Sequence, residues 1–492
     1  MSLVLANPKV LCLYDSTQTF TDTVFDWLSE LTKTEDLDFY FFCIRSNAKF
    51  LNLEPFDGLL IHYSVRPIFG NLSYEFERKI TEFNNFKVMS IQDEYDNTNG
   101  TVSFIKRTGI HHILTCVPIA RVSEVYGSLV AEGVKFSQVL TGYAYLNDDF
   151  HLLEPPSRRQ IFCGYRARKL PLKYGQLGID KWRIAEAFGL KLEESGVKNF
   201  DIDCSESSRI YGGNWTSFLR NCRATIATES GCNVFDFHGD LNETIKKLQD
   251  LGISDSEILN SNLTHCTFPG LMNQISPRVF EAIANRSALV LADGNYSGIV
   301  KPYEHYIPLN HDLTNFEEVF SLLRDDEFVD NMTLRAYEEV ACSDRNSWKS
   351  FHGTVKTAFS CLTSAPEPKC NYNEFSTEPL ITTLPLRPQN SAVPEIDKVT
   401  NLVIRTLLKV NFIASLNKIK VLNSLGKILV MGINVFLKFI RGKFVYRIQK
   451  VLALRVFQRM IKLPSINKLK NRRFFRYLAR KGLISIDEAN QS

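Results

Sequence analysis

Residues Lys9–Asp15 read KVLCLYD, a short apolar run that ends on an aspartate. Its apolar residues are consecutive rather than alternating, which suits a strand covered on both faces, as in a parallel sheet. A helix-like stretch, Asp22–Leu31, follows. Then come DFYFFCI (Asp38–Ile44), FDGLLIHY (Phe56–Tyr63) and FKVMSIQDE (Phe86–Glu94), separated by helical or turn-rich pieces. Shorter runs at His112–Thr115 and Gln138–Thr141 continue the alternation. Strand–helix alternation of this kind predicts an α/β fold with a doubly wound parallel sheet. No G-x-G-x-x-G follows the first strand and no G-x-x-x-x-G-K-[ST] occurs, which disfavours a dinucleotide fingerprint and a P-loop.

Working outward, Glu154-Pro155-Pro156 breaks the pattern, and it restarts with QIFCGYR (Gln160–Arg166) and an amphipathic helix over Lys181–Ser195. ATIATES (Ala224–Ser230) and SALVLADG (Ser287–Gly294) read as further strands. The expected division is a first Rossmann-like domain over 1–155 and a second over 156–362. A linker over 363–397 holds six of the 18 prolines between Ser364 and Pro394, and a basic, amphipathic helical tail follows over 398–492.

The net charge of +4 over 492 residues is an average of two unlike parts. From Lys398 to Ile486 there are 21 Lys and Arg and no Asp or Glu, which leaves 37 basic and 54 acidic residues elsewhere. An aromatic- and leucine-containing segment this basic suits an interfacial helix on anionic lipid. Nonspecific nucleic-acid binding and docking on an acidic protein surface are the competing readings. The 11 cysteines are odd in number and lack C-x-x-C pairs, so reduced thiols in a cytosol are expected rather than disulfides or a zinc site. The N-terminus lacks the charged region and cleavage site of a signal peptide, and the best apolar window, Val421–Ile440, is broken by polar residues. A cytoplasmic protein, peripheral at the inner face of the membrane, is expected.

Ligands of open α/β sheets bind beyond the carboxyl ends of the strands. In the first domain those ends carry His62 and the run Gln92-Asp93-Glu94-Tyr95-Asp96. Asp93, His62 and Glu94 are the candidates for proton transfer, with Asp93 preferred as base. Turn capping by Asp93 and Asp96, and a backbone partner for His62, are the plain alternatives. The second domain opens with Arg166, Arg168 and Lys173 around one loop, cations suited to a diphosphate or to a solvated basic surface. Ser276-Pro277-Arg278 has the form of a helix start, with Ser276 as N-cap and Pro277 at the first position. Its free N–H groups, with Arg278 beside them, would face an anion. Glu281 lies on the same side and would accept hydroxyl groups or pair with Arg278. Asp201-Ile202-Asp203 has the spacing of a metal-binding triplet, a common chance pattern, and no metal is expected.

The segments ISPRVFEAIANRSALVL (Ile275–Leu291), YSGIVKPYEHYIPL (Tyr296–Leu309), ATESGCNVFDF (Ala224–Phe237), IHYSVR (Ile61–Arg66), IQDEYD (Ile91–Asp96) and YRARKLP (Tyr165–Pro171) together resemble bacterial glycosyltransferases of the two-Rossmann-domain, GT-B class. The likeness is to family 1/4-like enzymes of surface-polysaccharide loci and spans roughly residues 8–360. It implies a nucleotide-sugar donor on the second domain, a glycan or lipid-linked saccharide acceptor on the first, and no cofactor beyond the donor itself. It places Glu281 at the second Glu of a Glu-x7-Glu motif, on the nucleotide ribose; Asn273 stands where the first would fall. It implies that the amides of Ile275 and Ser276 cradle the diphosphate, with Glu229 and Ser230 also on the donor side. A nucleotide-sugar epimerase and a catalytically silent glycan-binding scaffold are the alternative functions on this fold.

Overall fold

A computed structural model of the chain describes residues 7–363 and 381–387. The chain divides into compact units Met1–Ser391 and Ala392–Ser492. The second unit, and with it the expected basic helical tail, lies outside the described residues.

The first unit holds two parallel sheets. The first contains β1 (Lys9–Tyr14), β2 (Asp38–Cys43), β3 (Gly58–Ile61), β4 (Phe86–Ser90), β5 (His112–Thr115) and β6 (Lys135–Gln138) in the order β2-β1-β3-β4-β5-β6. The second contains β7 (Ile161–Arg166), β8 (Asp201–Asp203), β9 (Cys222–Ala227), β10 (Ala288–Ala292) and β11 (Ile307–Leu309) in the order β11-β10-β9-β7-β8. This is the α/β architecture of two tandem Rossmann-like domains expected from the sequence. Strands β3, β5, β9 and β10 are buried along their whole length, which is why their apolar residues run consecutively.

In each sheet the strand order reverses beside the first strand, between β1 and β3 and between β7 and β9. Such switch points open a crevice at the carboxyl ends of the strands. Both crevices face a single cleft of about 460 Å³, lined by Tyr63, Arg66 and Asp93 from the first domain and by Arg168, Thr228 and Ser230 from the second.

The chain crosses between the domains more often than the expected boundaries allow. Residues 363–397 were expected to be linker, yet β12 (Ile381–Thr382) pairs antiparallel with the β2 edge, Ile381 opposite Phe42. Beyond β12, Leu386 N donates to the Tyr14 hydroxyl at 2.9 Å. The helix Trp348–Ala358, expected in the second domain, packs on β5 and β6, with the Phe351 ring tilted against Trp27 at 4.7 Å between centroids. Gly58 admits this return: a Cβ there would stand 2.9 Å from Leu362 and 3.1 Å from Phe359. The segment between β9 and the helix Pro277–Ala284 also leaves its own sheet. Its Val234, Phe235, Leu241 and Ile245 join the core of the first domain. Its backbone is stitched there by Asp236 N to Tyr95 O (2.8 Å), Thr98 N to Asp236 O (3.1 Å) and Asn99 N to Phe237 O (3.0 Å).

Candidate functional site

The donor-side wall of the cleft is built around the helix Pro277–Ala284. Ser276 is its N-cap, with Oγ accepting from Arg278 N at 3.4 Å, and Pro277 fills the first position, whose missing N–H is an orphan in any helix. The approach to this helix start is close-packed: a Cβ on Gly142 would stand 2.9 Å from Pro277 Cβ. Arg278 extends along the wall, donates to the Arg166 carbonyl, and lies 5.5 Å from the Trp215 ring. Ser230 and Gln274 exchange backbone hydrogen bonds of 2.7 and 2.9 Å, fixing the loop after β9 against the helix start. Between them Gly231, at φ +97°, passes so near the Met272 carbonyl that no other residue fits.

Charge in this cleft is lopsided. Among the described residues Arg66, Arg168, Lys181, Arg209 and Arg278 line it, against one lining carboxylate, Asp93. Arg66 is already paired, to Asp93 at 3.3 Å and Asp96 at 2.6 Å, and Arg209 lies 3.1 Å from Glu206. Arg168, Lys181 and Arg278 have no carboxylate within ion-pair distance among the described residues. Lys181 donates to the Ser230 hydroxyl at 3.3 Å. Burial, and then the neighbouring charge of Arg278, pushes its ammonium down to about 8. Three cations without a carboxylate partner and a capped helix start on one wall are chemically suited to an anion of two or more charges.

On the opposite wall Asp93 is half-exposed, accepts from the Tyr95 hydroxyl at 2.7 Å, and is held by Arg66. Asp96 behind it is buried and joins the domains by accepting from Lys173 at 2.8 Å.

The structure therefore brings Asp93, Arg168, Ser230, Ser276 and Arg278 to the cleft, and it turns the other sequence candidates elsewhere. His62 has no exposed surface; Nδ1 meets Ser64 Oγ at 2.8 Å and the ring packs on Trp27 and Tyr63. Burial holds its pKa far below the usual imidazole value, so it is a neutral core residue rather than a proton-transfer group. Glu94 is likewise interior: it accepts from Thr115 Oγ1 at 2.6 Å and Cys116 N at 2.8 Å, and burial pushes its carboxyl up to about 8. Arg166 bends back to Asp201, at 2.6 Å, and stacks on Phe218. Lys173 is consumed by Asp96. Glu229 braces the turn after β10, accepting from Asn295 N (3.0 Å), Tyr296 N (2.9 Å) and Asn273. The Ile275 amide is already given to Ser297 Oγ at 3.2 Å. Glu281 accepts from the Trp215 indole at 2.6 Å, its carboxyl is pushed up by burial, and it is not among the residues lining the cavity. Asp201 and Asp203 do not act as a pair, since one holds Arg166 and the other accepts from Ser205 N at 2.7 Å.

Lys181 escaped sequence reasoning, although a signal for it exists. Gly178, Ala185, Phe188 and Leu192 form the buried stripe of the helix Gly175–Glu194, and Lys181 falls on it at helical spacing. A lysine on an apolar stripe has a reason to be there. Outside the cleft, Glu304, His305 and Glu339 bring ligand atoms within 4.8 Å of one another. Their charges are met locally: His305 lies 2.9 Å from Glu339, Lys301 Nζ 3.2 Å from Glu304, and His305 Nδ1 accepts from Lys301 N.

No protein-family model and no curated relative matches the sequence. Among solved structures, the chain is similar to an alpha-glucosyltransferase in complex with UDP and a 13-mer DNA containing an HMU base, at 10% identity and TM-score 0.44, covering 73% of this chain and 100% of that one. It is similar to T4 phage BGT in complex with UDP-glucose at 12% identity and TM-score 0.44, covering 71% and 99%. It is also similar to Anabaena Alr3699/HepE in complex with UDP and glucose, at 10% identity and TM-score 0.37, covering 72% and 100%.

Proposed function

We propose that the chain is a metal-independent glycosyltransferase that moves a sugar from a nucleotide-sugar donor to a cell-surface glycan or a lipid-linked saccharide. The observation that carries this reading is the anion wall: Arg168, Lys181 and Arg278, none paired with a carboxylate among the described residues, around the capped start of Pro277–Ala284. Breaking the glycosidic bond of a nucleotide sugar leaves negative charge on the diphosphate. Cations and helix N–H groups fixed in place before the reaction stabilise that charge at the moment it develops. The acceptor lies on the first-domain side, where Asp93, the one carboxylate among the described residues that line the cleft, takes the proton of the attacking hydroxyl. Glu281 takes the nucleotide ribose once Trp215 yields its place. The basic residues of 398–486 hold the enzyme on an anionic membrane surface at the cytoplasmic face, which suits a lipid-linked acceptor. No helix among the described residues is long and apolar enough to cross a membrane.

The test is incubation with UDP-, GDP-, CMP- and dTDP-sugars while nucleotide release is followed. Acceptor-dependent release supports transfer. Sugar interconversion without release favours an epimerase, and failure to bind any nucleotide sugar removes both. For the tail, deletion after Pro394 should abolish sedimentation with anionic liposomes and leave donor binding intact; equal sedimentation refutes the membrane role.

A further inference from the structure

Lys181 is placed unlike any other cation of the cleft. It falls at helical spacing on the buried stripe of the helix Gly175–Glu194, is itself partly buried where that stripe meets the cleft, and its ammonium meets a neutral hydroxyl, Ser230 Oγ, rather than a carboxylate. The titratable and charged groups facing it come from four elements. Arg278 comes from the helix Pro277–Ala284, Arg168 from the loop after β7, Cys232 from the loop after β9, and Asp93 from the loop after β4. Two of the four are cations. Burial keeps the Cys232 thiol neutral, and Asp93 is engaged by Arg66 and Tyr95 beyond ion-pair distance of Lys181. An ammonium desolvated among like charges is disfavoured until a compensating anion arrives.

We propose that anion capture in this cleft is coupled to a proton through Lys181: the amine takes a proton from solvent as the diphosphate enters and returns it as the diphosphate leaves. This rests on the reading that the cleft binds a nucleoside diphosphate. Arg168 and Arg278 stay charged throughout and attract the anion, whereas Lys181 makes the strength of its retention depend on pH. The surroundings agree, since burial and Arg278 lower Lys181 to about 8 in the free protein and an adjacent phosphate has the opposite effect. Above neutrality a growing share of the unliganded protein therefore holds a neutral amine.

Calorimetric titration of the full chain with UDP tests this. At pH 8.5, where UDP is fully ionised, paired buffers of different ionisation enthalpy should show uptake of roughly 0.7 proton per site. The apparent Kd should rise about tenfold from pH 7 to pH 9. Lys181→Arg keeps the charge without the titration, so it should bind UDP with no uptake and with Kd constant within about twofold over that range. Lys181→Met should bind weakly at pH 7 and show no pH dependence, which separates loss of the coupling from loss of the fold. Binding without proton uptake in the parent protein, or the same uptake in Lys181→Arg, overturns the proposal. Absence of binding heat with UDP, GDP, CDP and dTDP alike removes the nucleotide reading itself, and the proposal with it.

Discussion

Replacing Glu94 by Gln should abolish the pH dependence of stability that this one residue confers. Glu94 is 1% exposed, Oε1 accepts from Thr115 Oγ1 and Cys116 N, and Oε2 has no partner. Burial, opposed by those hydrogen bonds, raises its carboxyl from 4.5 to about 8. The folded-state pKa thus lies above the unfolded one, so the folded protein keeps a proton that the unfolded chain releases between about pH 4.5 and 8. Stability falls as pH rises through that window, by about 1.4 kcal/mol per unit and about 4–5 kcal/mol in all, and is level above it. Gln cannot ionise, and its Oε1 keeps both hydrogen bonds. Its amide brings one more unpartnered N–H than the protonated acid, which costs about 1–2 kcal/mol at every pH. The variant should accordingly be near parity or slightly less stable at pH 5 and more stable by about 3 kcal/mol at pH 8. Urea unfolding of both proteins at pH 5, 6, 7 and 8, followed by tryptophan fluorescence, measures the difference. A difference that does not vary with pH refutes the assignment of a neutral, buried Glu94.

Three further changes probe the cleft. Asp93→Asn should lower acceptor-dependent turnover by about 10²–10⁴ with nucleotide affinity unchanged; steady-state kinetics beside UDP titration would show otherwise if the proton goes elsewhere. Asp96→Ala strands Lys173 at the domain junction, leaves Arg66 only Asp93, and should cost about 3 kcal/mol, read as a lower urea midpoint. Glu281→Ala should weaken UDP binding at least tenfold through the ribose; unchanged affinity would mean that Glu281 serves only to hold Trp215.

Much of the fold was legible because parallel strands leave a plain mark: β1, β3 and β10 are unbroken apolar runs, and helices between them follow as a consequence of topology. Strand β8 leaves no mark in the sequence, because three partly exposed residues on a sheet edge carry no periodicity. The return of Trp348–Ala358 to the first sheet was invisible, since nothing local in a helix names the domain it covers. At the site, the helix start at Ser276-Pro277 was readable because capping is local. Which cations stay unpaired was not. Arg166 and Lys173 look like Arg168 and Arg278 in sequence, and they differ only because Asp201 and Asp96, distant in the chain, neutralise them. His62 and Glu94 stand at strand ends, where sequence places both catalytic and buried groups; only packing tells them apart.

The stitching of residues 231–273 and 348–359 into the first sheet's core bears on how the protein comes into being. Trp27 finds Phe351, and Tyr95 finds Asp236, only after most of the described chain has left the ribosome. The N-terminal sheet is therefore not a module that completes itself during synthesis. Until its late-arriving partners dock, apolar surface around Trp27 and the open β2 edge stays uncovered, a period when chaperone protection matters most.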